Sequence, residues 1–298
     1  MSSVKNKTDY FLQYIPKMMM NSQMNENNTI SPDNVYQPAI KNNRELLAEL
    51  MREGHLPGSD VAGYENILKL EKLADEGKSC IIFSEHVSNM DVPSMFIRFK
   101  DHPEKRMESV FEKLIFIAGV KLNQNPVVKL FAEMFTRVVI FPIRGLSKIS
   151  GEEFDLAKKI NLRATKHIME LKNKGNIFVL YPAGTRRRDW DADSMKGMKE
   201  TMAYLSIFDY FCCCSINGNN MIPQEHEDMT KEAYEEDVII FSIGEVTKTS
   251  DFVKEISEKH PDAKDKDEMR QHQVDEIMNR IETLHTKGKL IREKALQS

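Results

Sequence analysis

A chain of 298 residues with 41% hydrophobic and 30% charged side chains has ample material for a core and the balance of a soluble globular protein. Its formal net charge of −4 argues against general nucleic-acid binding, which needs a basic face. No apolar run approaches the roughly 20 residues that cross a bilayer, and residues 1–9 lack the apolar stretch of a signal peptide, so a cytoplasmic location is expected.

In chain order, the first forty residues carry Met18-Met19-Met20 and an asparagine-rich stretch, with Pro32 and Pro38 breaking any long helix. Apolar residues at helical spacing then predict helices over 43–53 and 64–75, each closed by a glycine. Residues 1–76 are read as a small helical N-terminal subdomain and 77–298 as the main domain. After Gly77 strands alternate with helices. Strands are predicted over 79–83, 114–118, 138–142, 176–181, 210–216 and 238–243. Helices are predicted over 92–99, 126–135, 152–174, 195–208 and 267–296. The fold class is α/β, with a mixed, largely parallel sheet flanked by helices. Four cysteines, three of them adjacent at Cys212-Cys213-Cys214, form neither a disulfide framework nor a zinc spacing, and on an apolar strand they read as small buried hydrophobes.

In open parallel sheets sites gather at the carboxyl ends of strands. One polar sequence there is Ser84-Glu85-His86-Val87-Ser88-Asn89-Met90-Asp91. On a regular helix five positions are about 500° of rotation, so His86 and Asp91 would point apart. They meet only if His86 lies in the turn before the helix and Asp91 in its first turn, and Pro93 supports such a start. Asp91 would then hold one ring nitrogen and leave the other to take a proton. Alone, a histidine after a strand is as readily structural, and a carboxylate at a helix start as readily a cap.

Two further strand ends are basic. Phe141-Pro142-Ile143-Arg144-Gly145 follows one strand and Tyr181-Pro182-Ala183-Gly184-Thr185-Arg186-Arg187-Arg188 follows another. Guanidinium forks and close-approaching glycine backbone suit phosphate, whereas an arginine triplet by itself also describes a solvated loop.

Taken in order, His86-x4-Asp91, the block at 141–144 and the block at 181–186 resemble the successive motifs of the glycerolipid acyltransferases. The likeness is closest to the soluble, plastid-type glycerol-3-phosphate 1-O-acyltransferases. Residues 116–122 with Asn125-Pro126 are similar to that subgroup's segment between the first two motifs, and the block 211–223, ending Met221-Ile222-Pro223, to its later apolar block. The likeness spans about 76–245. Ala183 stands where membrane-bound relatives carry a glutamate, as in the plastid type. Arg144 replaces a Lys-His pair, and Arg187 is extra and expected to face solvent.

The resemblance implies transfer of an acyl group from a thioester to the first hydroxyl of glycerol 3-phosphate. The donor would be acyl-carrier protein or acyl-CoA, with the reaction direct and without metal or cofactor. His86 would be the general base and Asp91 its orienting partner. Arg144, Arg186 and Arg188 would anchor the phosphate, and backbone near Gly184 and Thr185 would form a turn or oxyanion donors. The lipid product implies transient contact with a membrane surface. Two other readings stay open: a different acceptor such as lysophosphatidate, and a non-catalytic phosphate-binding module.

Overall fold

The buried apolar run Cys80–Ser84 forms strand β3 at the centre of a nine-stranded sheet, bonded in parallel to a neighbour on each side. Burial on both faces is why it reads as a continuous hydrophobic run without alternation. The computed structural model describes residues 6–22, 29–123, 125–142, 149–223 and 232–298. The other strands are β1 (Tyr36–Gln37), β2 (Asp60–Ala62), β4 (Leu114–Gly119), β5 (Arg137–Ile140), β6 (Ile177–Leu180), β7 (Tyr210–Asn217), β8 (Ile240–Ile243) and β9 (Thr247–Lys248). Their order is β1-β5-β4-β6-β3-β7-β8-β2, with β9 beside β7. The five strands from β5 to β7 run parallel, β1 pairs antiparallel with β5, β8 and β9 pair antiparallel with β7, and β2 pairs in parallel with β8. The predicted mixed α/β class is the observed one.

Helices cover both faces. Helices α1 (Thr8–Asn21), α2 (Arg44–Gly54), α3 (Tyr64–Asp75), α4 (Asp91–Lys100), α5 (Arg106–Glu112) and α6 (Pro126–Ala132) pack on one core. Helices α7 (Gly151–Leu171), α8 (Met202–Leu205), α9 (Thr249–Lys259) and α10 (Lys266–Gln297) pack on the other. Helix α7 shows the usual cause: it buries Ala157, Ile160, Ala164 and Ile168, one stripe at 3.6-residue spacing. Helix α6 starts on Asn125, whose side chain accepts from the amides of Val127 and Val128, with Pro126 in the first turn.

Three differences from the sequence expectation have physical causes. The segment 1–76 is not only helical: β1 pairs with β5 and β2 with β8, so it supplies both edges of the sheet. Most of its apolar side chains share one core with β3 and β7, while Ile30 and Val35 pack into the other. Helix α1 carries Pro16 on its exposed side while Phe11, Tyr14 and Met18 are buried. The helix expected over 195–208 is broken into 3-10 turns at Ala192–Met195 and Lys199–Thr201 before α8. Gly197 lies between them, where a Cβ would fall 2.3 Å from Val274 Cγ2 of α10. Close approach of α10 therefore fixes a glycine in that interval.

Helix α10 seats on β7 and β8 in the same way. A Cβ at Gly288 would fall 2.1 Å from Asn217 Oδ1, and Asn217 donates from Nδ2 to the carbonyl of His285 at 3.0 Å. Cys212, Cys213 and Cys214 lie buried on β7, and burial pushes the Cys213 thiol up to about 12, away from the reactive thiolate. Among the described residues no helix is long and apolar enough to cross a membrane.

His55, just after α2, is buried against Ser94 of α4, 3.2 Å from its hydroxyl. Burial, assisted by the nearby Arg98 charge, lowers its pKa to about 3. An unfolded histidine titrates near 6.5. The unfolded chain therefore binds the extra proton between those values, and stability is full above pH 6.5 and lost as pH falls toward 3. Between pH 7 and pH 5 the loss from this residue is about 2 kcal/mol. In urea titrations at the two pH values, His55→Gln is expected to lose less than the wild type by that amount.

Candidate active site

Strand β3 ends at Ser84, and the loop that follows holds His86 just ahead of Asp91, which opens the first turn of α4. His86 Nδ1 lies 2.7 Å from Asp91 Oδ2. The same carboxylate accepts the amides of Val87 at 2.8 Å and Ser88 at 2.9 Å, and Asp91 is only 2% exposed. A carboxylate can only accept, so Nδ1 carries the hydrogen and Nε2 is left as the basic atom. Asp91 thus orients the ring and fixes the loop with one group. The loop is also tied across the sheet: Ser88 Oγ donates to Met221 O, and Asn219 Nδ2 to Val87 O. The imidazole stacks on the Tyr181 ring, with centroids 4.5 Å apart and planes 27° apart. Burial, and then the Asp91 charge, keep the Tyr181 phenol protonated.

His86 opens on a cavity of about 560 Å³ at the carboxyl edge of the parallel strands. Its walls are mainly apolar and come from both faces of the sheet, including Phe116 and Phe131 on one side and Ile117 and Ile207 on the other. Lys121, Arg186 and Glu200 are the charged groups of the lining besides Asp91 and Arg137. Asn89 also lines it, and its side-chain Nδ2 is buried with no partner among the described residues.

The candidate residues named from the sequence separate into groups. His86, Asp91, Gly184, Thr185 and Arg186 line the one cavity. Arg186 Nη1 is held by both oxygens of the buried Glu232, at 2.8 and 3.0 Å, so an anion there shares the guanidinium with that carboxylate. Arg188 is not in the lining; its Nη1 points toward Asp191, 3.7 Å away. Gly184 holds φ of +63°, and its amide donates to Tyr181 O at 3.0 Å. It is the turn residue, and its N–H is committed there and does not serve an oxyanion. Arg144 lies outside the described residues.

Arg187 does not face solvent as expected. Its backbone amide donates to His86 O at 2.7 Å, and its guanidinium bridges Glu85 at 2.8 Å and Glu282 of α10 at 2.7 Å. Burial alone would lower its pKa, but the two carboxylates win and raise it. Glu85 in turn accepts from the Ile216 amide at 3.0 Å and contacts His285 Nδ1 at 2.8 Å. One buried carboxylate therefore joins the end of β3, β7, the 181–188 turn and α10 next to His86.

No family model matches the chain, and no curated protein is similar to it. The geometry alone carries the chemistry. An oriented imidazole with a free nitrogen, at the mouth of an apolar cavity with cations nearby, suits removal of a proton from a small anionic alcohol while an apolar chain lies in the cavity. Among the described residues, no three His, Cys, Asp or Glu side chains are grouped to hold a metal ion.

Proposed function

We propose that the protein transfers a fatty acyl group from a pantetheine thioester, on acyl-carrier protein or coenzyme A, to the first hydroxyl of glycerol 3-phosphate. The observation that carries this is the His86–Asp91 pair at the mouth of the 560 Å³ apolar-walled cavity. His86 Nε2 takes the hydroxyl proton as its oxygen attacks the thioester carbonyl. The C–S bond then breaks and the proton passes to the leaving thiolate. Asn89 Nδ2, a buried donor beside the base, is suited to the developing oxyanion. Lys121 and the free edge of Arg186 are suited to the phosphate, which places the hydroxyl at the base. The product's apolar chain leads the protein to work at a membrane surface without spanning it.

A second reading, an acceptor with its own chain such as lysophosphatidate, is supported by apolar walls drawn from both faces of the sheet. Thiol release by purified protein separates the readings. Release driven by glycerol 3-phosphate supports the first, release driven only by lysophosphatidate supports the second, and no release with either overturns both. Arg186→Lys keeps a charge beside Glu232 but loses the guanidinium fork. It is expected to raise the KM for glycerol 3-phosphate about ten-fold, with a smaller change in kcat. An unchanged KM would remove Arg186 from the phosphate site.

A further inference from the structure

Away from His86 the cavity passes under α6 to Arg137, the first residue of β5. Arg137 stands three steps along the strand from Ile140 at its carboxyl end, so it lies about 10 Å below that edge. The walls at this depth are Phe116, Phe131, Ala132 and Phe135. Arg137 is 4% exposed. Its Nη1 donates to the carbonyls of Ala132 at 2.6 Å and Phe135 at 3.5 Å, while its Nε has no partner among the described residues. Burial lowers its pKa to about 10 against the attraction of Glu133, so it remains a cation at neutral pH. A charged group in an aromatic-walled cavity, with a donor unmet, is costly to cover with hydrocarbon and favourable to cover with an acceptor.

We propose that Arg137 closes the inner end of the acyl cavity and sets the longest methyl-ended chain it accepts. This rests on the acyl-transfer reading above. Up to that length each added CH2 buries more apolar surface, worth about four-fold in affinity (about 0.8 kcal/mol). The next one presses a methyl group on the guanidinium and gains nothing. A chain of limiting length that ends in a carboxylate instead supplies the acceptor that Arg137 lacks.

The test is calorimetric binding of saturated acyl-pantetheine thioesters of increasing length, with no acceptor present. Wild-type affinity is expected to climb about four-fold per CH2 and then stop at one length. At that length the ω-carboxylated chain is expected to bind at least ten-fold more tightly than its methyl-ended counterpart. Arg137→Met is expected to move the stop to longer chains and abolish the carboxylate preference. Arg137→Lys, which keeps the charge, is expected to leave the stop close to that of the wild type. Because Arg137 also holds the carbonyls at the end of α6, the wild-type comparison of the two chain ends tests the proposal with no substitution. A stop that does not move in Arg137→Met, or no carboxylate preference in the wild type, overturns the role of Arg137 alone. Failure to bind any acyl chain overturns the acyl reading with it.

Discussion

His86→Ala is expected to lower kcat for acyl transfer about 10³-fold, within the range that a positioned general base contributes. Among the described residues the variant loses the one imidazole that lines the cavity, with its partner nitrogen fixed, while the other cavity walls and the neighbouring cations are untouched. KM for either substrate is therefore expected to change little. Asp91→Asn is a different experiment. Asp91 accepts three hydrogen bonds with two oxygens, from His86 Nδ1, Val87 N and Ser88 N. An amide keeps one oxygen and turns an NH2 group toward at least one donor. It therefore misorients the imidazole and loosens the loop together. Asp91→Asn should lose both turnover and stability, whereas His86→Ala should lose turnover with a nearly unchanged urea midpoint. Full activity in His86→Ala would remove the base from the mechanism.

The contrast between these residues shows what a linear chain reveals. The strands were legible because β3 and β6 are buried on both faces and read as apolar runs, Ile81-Ile82-Phe83 and Ile177-Phe178-Val179-Leu180. The His86–Asp91 pair was legible because five residues and one proline confine the geometry locally. Strands β1 and β2 were not, since they have only two and three residues and are made by backbone pairing to distant strands. Arg187 was misread for a related reason. Its carboxylate partners lie 102 and 95 residues away, so nothing near it in sequence distinguishes it from a solvated arginine. Arg137 and Asn89 belong to the site only because the fold places one cavity against both.

Glu85→Leu is the substitution expected to cost most in stability, about 3 kcal/mol or more, the usual result of removing one partner from a buried charge network. The argument begins from burial: Glu85 is enclosed between β3, β7, the 181–188 turn and α10, and both of its oxygens are used. Leucine would fill part of the volume but leave the Ile216 amide without an acceptor and His285 without its carboxylate. Arg187 would keep Glu282, which lies at the protein's edge and so compensates only in part. Glu85→Gln separates charge from hydrogen bonding. Its amide oxygen can still serve Ile216, and its loss should be roughly half that of leucine. The network also reaches the base, because the Arg187 amide holds the His86 carbonyl at 2.7 Å. Below the unfolding transition, the folded Glu85→Gln variant is therefore expected, on the proposed acyl transfer, to show a lowered kcat with KM little changed, since the imidazole is displaced while the cavity walls are not. Equal urea midpoints for wild type, Glu85→Gln and Glu85→Leu would mean that α10 is held without the Glu85 network, by Val274, Ile277 and Ile281 and by its other polar ties such as Asn217 to the His285 carbonyl.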